Sequence, residues 1–196
     1  MVDGVIVLGL AGGIGAGKSH VARALADMGA IVFDSDAEAK AMLNEPAVHN
    51  VLVSWWGAGV LDGDGRVDRA KVAAIVFADP AQRVRLEGLV HPRLKRSRAE
   101  VFRTAAAHGA GVAVIDAPLL FEAGLAAECD AVVFVDTPRE ERVSRVCASR
   151  GWDEAELARR EAAQMSVEEK RARSGFVVDG RLGTEAMRAR LAEIID

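Results

Sequence analysis

Five short apolar runs along the chain have the length of β-strands and no regular alternation with polar residues. They cover residues 5–10, 30–33, 112–115, 131–135 and 176–178. Runs without such alternation are typical of parallel strands that are covered on both faces. Helical patterns separate them, as where Val21, Leu25 and Met28 recur at the spacing of one helix face. The alternation of strand and helix predicts an α/β fold.

The runs are unevenly spaced along the chain. Residues 34–111 show no strand pattern, only helical segments separated by turn-forming residues, of which Asp79-Pro80 and His91-Pro92 are two. A second, arginine-rich helical stretch occupies residues 138–173. We therefore expect a single domain with two helical additions. Its core would be residues 1–35, 109–137 and 174–196, with a substrate-binding insertion at 36–108 and a lid at 138–173.

The composition fits one soluble domain. Of 196 residues, 51% are hydrophobic and 28% are charged, which is enough for a sizeable core. The net charge of −4 argues against nucleic acid or anionic lipid as a partner. The two cysteines form no C-x-x-C pair, and no apolar run approaches the roughly 20 residues of a membrane span. These features predict a cytoplasmic protein, and they leave its oligomeric state open.

A glycine-rich motif follows the first strand and precedes the first helix. It reads Gly12-Gly13-Ile14-Gly15-Ala16-Gly17-Lys18-Ser19 and fits G-x-x-x-x-G-K-[ST]. In such a loop the backbone N–H groups and the start of the helix face phosphate oxygens. The lysine reaches the β- and γ-phosphates, and the serine hydroxyl holds Mg²⁺. The motif predicts a nucleoside triphosphate site.

This motif does not select a reaction, because GTPases, ATPases and small-molecule kinases share it. Asp116 ends the apolar run 112–115, as a Walker B acid does, but Ala117-Pro118 follows in place of the second acid of many motor ATPases. The sequence has no Asn-Lys-x-Asp motif for guanine and no Leu-Ser-Gly-Gly-Gln run. A kinase is the class that remains.

Two acids directly follow the second strand, in Asp34-Ser35-Asp36. Because side chains alternate along an extended chain, both carboxylates lie on one side if the extended geometry continues. Either could accept the proton of an attacking hydroxyl while Mg²⁺ and basic groups neutralise the phosphoryl group. Each acid is also a suitable N-cap for the next helix, and the sequence leaves open which one carries the proton.

With these motifs in this order, the chain resembles the dephospho-CoA kinase family, which catalyses the last step of coenzyme A synthesis. The resemblance covers nearly the whole chain. The matching segments are residues 9–19, Phe33-Asp34-Ser35-Asp36, Ile75-Val76-Phe77, Leu89-Val90-His91-Pro92 and Pro118-Leu119-Leu120-Phe121-Glu122, then Arg145, Arg150-Gly151, Arg160, Gln164 and Val177-Val178-Asp179. Their shared order is more specific than any one of them.

The resemblance implies a P-loop kinase fold with a five-stranded parallel sheet, a helical substrate-binding insertion and a helical lid. It implies transfer of the ATP γ-phosphate to the ribose 3′-hydroxyl of dephospho-CoA, with ATP as co-substrate and Mg²⁺ as cofactor. Asp36 would be the base, with Lys18 and Asp34 beside it in the catalytic site. Dephospho-CoA would be the small-molecule partner.

The resemblance also implies two sets of binding residues. The nucleotide would contact Gly13, Ile14, Gly15, Ala16, Gly17, Lys18, Ser19, His20, Arg145, Arg150 and Gly180. The acceptor would contact Asp36, Lys40, His91, Leu120, Glu122 and Arg160. Ser19 would be the metal ligand.

Three positions depart from the family's usual residues: His20 replaces threonine, Lys40 replaces arginine and Gly180 replaces asparagine. Two other functions remain open on the sequence alone. One is a P-loop kinase of a nucleoside monophosphate or another small metabolite. The other is a nucleotide-binding switch whose lid and insertion engage a protein partner.

Overall fold

The structure, a computed structural model, describes residues 4–195. That part of the chain contains five β-strands, nine α-helices and two short 3-10 turns. The strands are β1 (Ile6–Gly12), β2 (Ile31–Asp34), β3 (Val112–Asp116), β4 (Ala131–Asp136) and β5 (Phe176–Asp179). The helices are α1 (Lys18–Asp27), α2 (Ser35–Met42), α3 (Pro46–Trp56), α4 (Arg69–Ala78), α5 (Pro80–Ala107), α6 (Arg139–Arg150), α7 (Glu154–Glu161), α8 (Val167–Ala172) and α9 (Thr184–Ile195).

The five strands form one parallel sheet in the order β2–β3–β1–β4–β5. Each strand lies within two residues of an apolar run of the sequence. Four consecutive residues of β4 are buried, Val132 to Val135, as expected of a strand that is covered on both faces. The predicted α/β fold with a five-stranded parallel sheet is confirmed.

The chain divides into two compact units. The unit that contains the sheet runs to Asp34 and resumes at Val101, and the other unit is Ser35–Glu100. In the first unit, α1 and α9 cover one face of the sheet. Their buried residues join those of the strands in one cluster, which includes Leu8, Leu10, Val21, Leu25, Val114, Val133, Met187 and Leu191. On β2, the ring of Phe33 meets that of Phe102 edge-on at 6.3 Å.

The second unit is helical and has its own core. It consists of α2, α3, α4 and the part of α5 up to Glu100. Its buried residues are Met42, Val48, Leu52, Val60, Val67, Val72 and Val90. Trp55 and Trp56 pack against this cluster, and the indole N–H of Trp56 donates to Gln82 Oε1 at 2.9 Å.

The expected break at His91-Pro92 is wrong, because α5 continues through Pro92 over 28 residues. Proline removes one backbone donor from a helix and crowds the preceding turn. In that turn the Arg93 guanidinium donates through Nη1 to the Leu89 carbonyl at 2.8 Å. The expected break at Asp79-Pro80 is confirmed: α4 ends at Ala78 and α5 begins at Pro80. Despite its length, α5 lacks the apolarity of a membrane span, as does every other helix in residues 4–195.

Candidate functional site

The glycine-rich motif forms the loop between β1 and α1 at the carboxyl edge of the sheet. Gly15 and Gly17 have φ angles of 78° and 99°, in the left-handed region that favours glycine. Gly17 is the N-cap of α1, and its carbonyl accepts from the N–H of His20 at 2.9 Å. Lys18 and Ser19 therefore begin the helix, where the first N–H groups and the positive end of the helix dipole lie. This arrangement is suited to binding phosphate.

The carbonyl of Ala16, in the middle of this loop, accepts two hydrogen bonds from outside the loop. The Thr137 hydroxyl, which follows β4, donates at 2.8 Å, and Arg145 Nη1 from α6 donates at 3.0 Å. Arg145 Nη2 donates in turn to the Gly180 carbonyl at 3.0 Å. The structure thus brings together three sequence-predicted residues, Ala16, Arg145 and Gly180. Arg145 fixes the loop to the segment that follows β5.

Gly180 is confined by its neighbours and not by its backbone angles. A Cβ there would lie 2.2 Å from Thr137 Oγ1, 2.5 Å from the Ala16 carbonyl oxygen and 2.9 Å from Val135 Cγ1. Asparagine at this position would require Thr137 or the phosphate loop to move. Glycine in place of the family's usual asparagine at position 180 therefore allows Thr137 to pack closely against the loop.

Arg142 is a buried residue of this site that the sequence analysis did not single out. Only 5% of its surface is exposed. Its guanidinium donates to the Ile14 carbonyl of the phosphate loop and forms an ion pair with Glu161 of α7. A charge run in a helix ordinarily indicates a solvated face. The signal in the sequence was weak: Arg142 lies one turn before the apolar Val146 and three residues before Arg145.

Two carboxylates end neighbouring strands beside the loop. Asp34 of β2 and Asp116 of β3 are register partners, so their Cα atoms lie about 4.8 Å apart and their side chains share a face. Carboxylate and hydroxyl oxygens are ligands that Mg²⁺ prefers. Ser19, at the start of α1, carries an exposed hydroxyl. Within residues 4–195 there is no group of three or more His, Cys, Asp or Glu side chains that could hold a metal.

Three predicted acceptor residues belong to the helical unit. Asp36 lies in the first turn of α2 and Lys40 in its last, positions that complement the helix dipole. His91 lies within α5. All three are exposed.

Leu120 and Glu122 follow β3 and are held by the sheet and by α8. Leu120 is buried, and a Cβ on Gly9 would lie 2.8 Å from its Cδ2, so it packs directly against β1. Glu122 Oε1 accepts from Lys170 Nζ at 3.0 Å and from the Met165 N–H at 2.9 Å. Burial works to raise the pKa of Glu122, but the hydrogen bond from Lys170, the backbone N–H groups and the Lys170 charge outweigh it and lower the pKa.

Arg150 and Arg160 both stack on an aromatic ring that sequence reasoning missed. Their guanidinium carbons lie 4.8 and 4.1 Å from the ring centroid of Trp152. Arg160 Nε also donates to Glu156 Oε1 at 2.6 Å. A lone tryptophan beside a glycine gave no hint of this role, because nothing in the sequence places residues 150 and 160 around it.

A cleft of about 340 Å³ lies between the phosphate loop and the predicted lid. Its lining includes Gly13, Ile14, Arg142, Gln164 and Lys170. Arg139, Glu161 and Glu168 also line it. The cations of the lining are paired with carboxylates, Arg142 with Glu161 and Lys170 with Glu122, so it is the position of the cleft beside the phosphate loop that suits a phosphate-bearing ligand.

Comparison with known proteins agrees with the fold and the motifs. The family model described as dephospho-CoA kinase matches residues 6–185. The dephospho-CoA kinase of Deinococcus radiodurans is 46% identical over 185 residues, covering 94% of this chain and 88% of the relative. That of Thermobifida fusca is 41% identical over 192 residues, covering 97% and 94%.

Solved structures show the same fold. The crystal structure of TT1252 from Thermus thermophilus superposes with a TM-score of 0.81 at 34% identity, over 97% of this chain and 96% of that one. The dephospho-CoA kinase of Campylobacter jejuni gives 0.69 at 21% identity, over 96% and 94%. The shikimate kinase of Acinetobacter baumannii, at 0.54 and 15% identity over 97% and 93%, shares the fold alone.

Proposed function

This chain belongs to the dephospho-CoA kinase family, and we propose that it performs the family's reaction with the phosphate loop and the acids after β2. The reaction is the ATP-dependent phosphorylation of the ribose 3′-hydroxyl of dephospho-CoA, which gives coenzyme A and ADP. The observation that carries this conclusion is the family match over residues 6–185, because it spans the loop, the acids and the arginine-rich helices together. A cytoplasmic location, which the isolated cysteines favour, stays a prediction.

ATP is the co-substrate, and its phosphates would occupy the loop between β1 and α1. The backbone N–H groups of the loop, including those of Gly13, Gly15 and Ala16, would contact phosphate oxygens. Lys18 would reach the β- and γ-phosphates, and His20 would contribute its backbone N–H at the start of α1. The loop is held in this form by Arg145, which leaves the Gly180 backbone at the edge of the nucleotide site.

Mg²⁺ is the cofactor that fits the oxygen donors beside the loop. It would neutralise charge on the transferring phosphoryl group. Ser19 would be its protein ligand, and Asp34 and Asp116 would hold metal-bound water through their carboxylates, since Mg²⁺ usually keeps several waters.

Asp36 would be the general base that accepts the proton of the 3′-hydroxyl. It follows the carboxyl end of β2 by two residues, and open α/β sheets bind their ligands at that edge. Lys40 and His91 would contact the acceptor from the helical unit, in keeping with a substrate-binding insertion at 36–108.

The helices α6, α7 and α8 would form the lid, at residues 138–173. As the lid closes, Arg150 and Arg160 would leave the Trp152 ring and bind ligand phosphates. Closure would also exclude water from the γ-phosphate. Leu120 and Glu122 would shape the acceptor pocket, Glu122 by holding Met165 and Lys170 in place.

The test is an ADP-release assay with purified protein, ATP and Mg²⁺, comparing dephospho-CoA with AMP, adenosine and no acceptor. ADP that appears with dephospho-CoA alone, with a product of coenzyme A mass, is the expected result. Turnover with another acceptor would instead identify a different small-molecule kinase. Tight ATP binding without acceptor-dependent turnover would indicate a nucleotide-binding switch.

The base is tested by Asp36→Asn, with Glu38→Gln as the matched control in the same first turn of α2. Loss of the base should lower kcat by roughly 10² to 10⁴, with ATP affinity retained, while the control should stay within about twofold of the unmodified protein. Asp34→Asn should shift the Mg²⁺ dependence instead. Normal turnover of the Asp36 variant would show that the assignment of the base is wrong.

A further inference from the structure

The guanidinium of Arg142 connects three separate parts of the sheet-containing unit. Its Nε donates to the Thr137 carbonyl after β4 at 3.2 Å, and its Nη1 donates to the Ile14 carbonyl of the phosphate loop at 3.3 Å. The same Nη1 forms an ion pair with Glu161 Oε1, at the end of α7. With 6% of the side chain exposed, this cation depends on these three partners.

The phosphate loop is shaped to receive this guanidinium. A Cβ on Gly13 would lie 2.8 Å from Nη1 and 3.0 Å from Cζ of Arg142, so the loop backbone lies directly against the charged group. The second glycine that faces Arg142 is Gly15, where a Cβ would lie 2.9 Å from the Arg142 carbonyl oxygen. Any movement of Arg142 therefore acts on the two loop glycines that face it.

On the other side, Glu161 adjoins Arg160, one of the arginines expected to reach ligand phosphate. Arg139 joins the same two helices through Glu154 and, at 3.9 Å, through Glu161, but the side chains of Arg139 and Glu154 are 45% and 65% exposed and neither bonds the loop. Exposed pairs of this kind contribute little, whereas the Arg142–Glu161 pair is largely withdrawn from water. The buried pair is the one that can couple α7 to the phosphate loop.

We propose that Arg142 and Glu161 are positioning residues, which fix the phosphate loop and the lid helix α7 in one geometry. The inference rests on the proposed kinase function for its catalytic consequence and on the contacts alone for the coupling. A guanidinium suits this role because its planar fork serves several acceptors at once, which a lysine ammonium on a flexible stem does not. Arg142 acts through the loop backbone and through Glu161, the neighbour of Arg160.

The coupling is tested by amide hydrogen exchange on the full chain without ligand, comparing Glu161→Gln with Glu154→Gln. The substitution is the same in both, and each removes a carboxylate of α7 that pairs with Arg139 of α6; only Glu161 also pairs with Arg142. Exchange in the phosphate loop, about 145 residues away in sequence, should become about tenfold faster in the Glu161 variant and stay unchanged in the control. Equal loop exchange in the two variants would overturn the proposal.

Kinetics supply a second readout that a purely structural role would not change. Glu161→Gln should lower kcat about tenfold while the KM for ATP stays within about threefold, because Ala16 keeps both of its external donors. Arg142→Lys should give an intermediate loss. Parallel falls in kcat for the Glu161 and Glu154 variants, or none in either, would refute a positioning role. A protein that makes no coenzyme A would refute the proposed function, and the exchange experiment would still decide the coupling.

Discussion

The Ala16 carbonyl offers a direct test of how the phosphate loop is held. It accepts from Thr137 Oγ1 and from Arg145 Nη1, and Ala16 itself is 1% exposed, so water cannot replace a lost donor. Thr137→Val removes the hydroxyl at nearly constant shape. Arg145→Met removes the guanidinium and keeps an unbranched apolar stem.

The expected energies follow from which partners each variant leaves behind. Thr137→Val loses one hydrogen bond but leaves the carbonyl satisfied by Arg145, so it should lower the free energy of unfolding by about 1 kcal/mol. Arg145→Met also loses the bond to Gly180 and should cost about 2 kcal/mol. The double variant leaves a buried carbonyl with neither donor, a penalty of about 1–3 kcal/mol. It should therefore exceed the sum of the single variants by about 1 kcal/mol or more.

The assay is urea unfolding of the ligand-free protein and of the three variants, which gives the coupling energy of a double-mutant cycle. The loss of the Gly180 bond cancels in this cycle because it occurs with and without Thr137. Arg150→Met paired with Thr137→Val is the control, since Arg150 lies in the same helix but contacts Trp152. If the losses of unfolding free energy for the Thr137 and Arg145 variants add to within about 0.5 kcal/mol of the double variant, the two side chains do not jointly satisfy the carbonyl.

Three further changes test other contacts of the site. Gly180→Ala should lower the free energy of unfolding by about 1–3 kcal/mol through overpacking, whereas Gly183→Ala, with open space around its Cβ, should be nearly neutral in the same urea measurement. The Arg181 guanidinium lowers the pKa of Asp179 from 3.8 to about 2. The small contribution of this carboxylate to the free energy of unfolding is therefore present above pH 3.8 and lost as the pH falls toward 2. Over that range the unfolding free energies of Asp179→Asn and of the unmodified protein should converge. Glu122→Gln leaves a buried lysine without its counter-charge and should cost about 3 kcal/mol in urea unfolding, and a loss below about 0.5 kcal/mol would contradict that pairing.

The elements of the sheet could be predicted because their signal is local. Each strand is a short run of apolar residues. Because both faces of the sheet are covered, the run is continuous and does not alternate with polar residues. The phosphate loop could be predicted for the same reason, since its glycines, lysine and serine are consecutive in the chain. The expected break at Pro92 shows the limit of this reasoning, because proline usually ends or kinks a helix but α5 continues through it.

The contacts that hold the loop could not be predicted, because their members are far apart in the sequence. Thr137 and Arg145 reach a carbonyl more than a hundred residues earlier. Single-sequence patterns place charged residues in solvent, and α6 buries the charged Arg142 on the same face as the apolar Val146. Only the packing of α6 against the loop distinguishes this arginine from its exposed neighbour Arg139.

The phosphate-loop motif allows any residue at four positions, and two of them are glycine in this chain for reasons that lie in α6. Gly13 gives space to the Arg142 guanidinium, and Gly15 combines a positive φ with close approach to the backbone of the same residue. A side chain at position 13 would displace the Arg142 guanidinium, and one at position 15 would push the backbone of α6 away from the loop. Either change would disturb the arginine that holds Glu161. The sequence of the loop and the sequence of the lid helix are therefore matched to each other, so the loop serves two purposes at once: it presents N–H groups to phosphate on one side and receives the lid's anchor on the other.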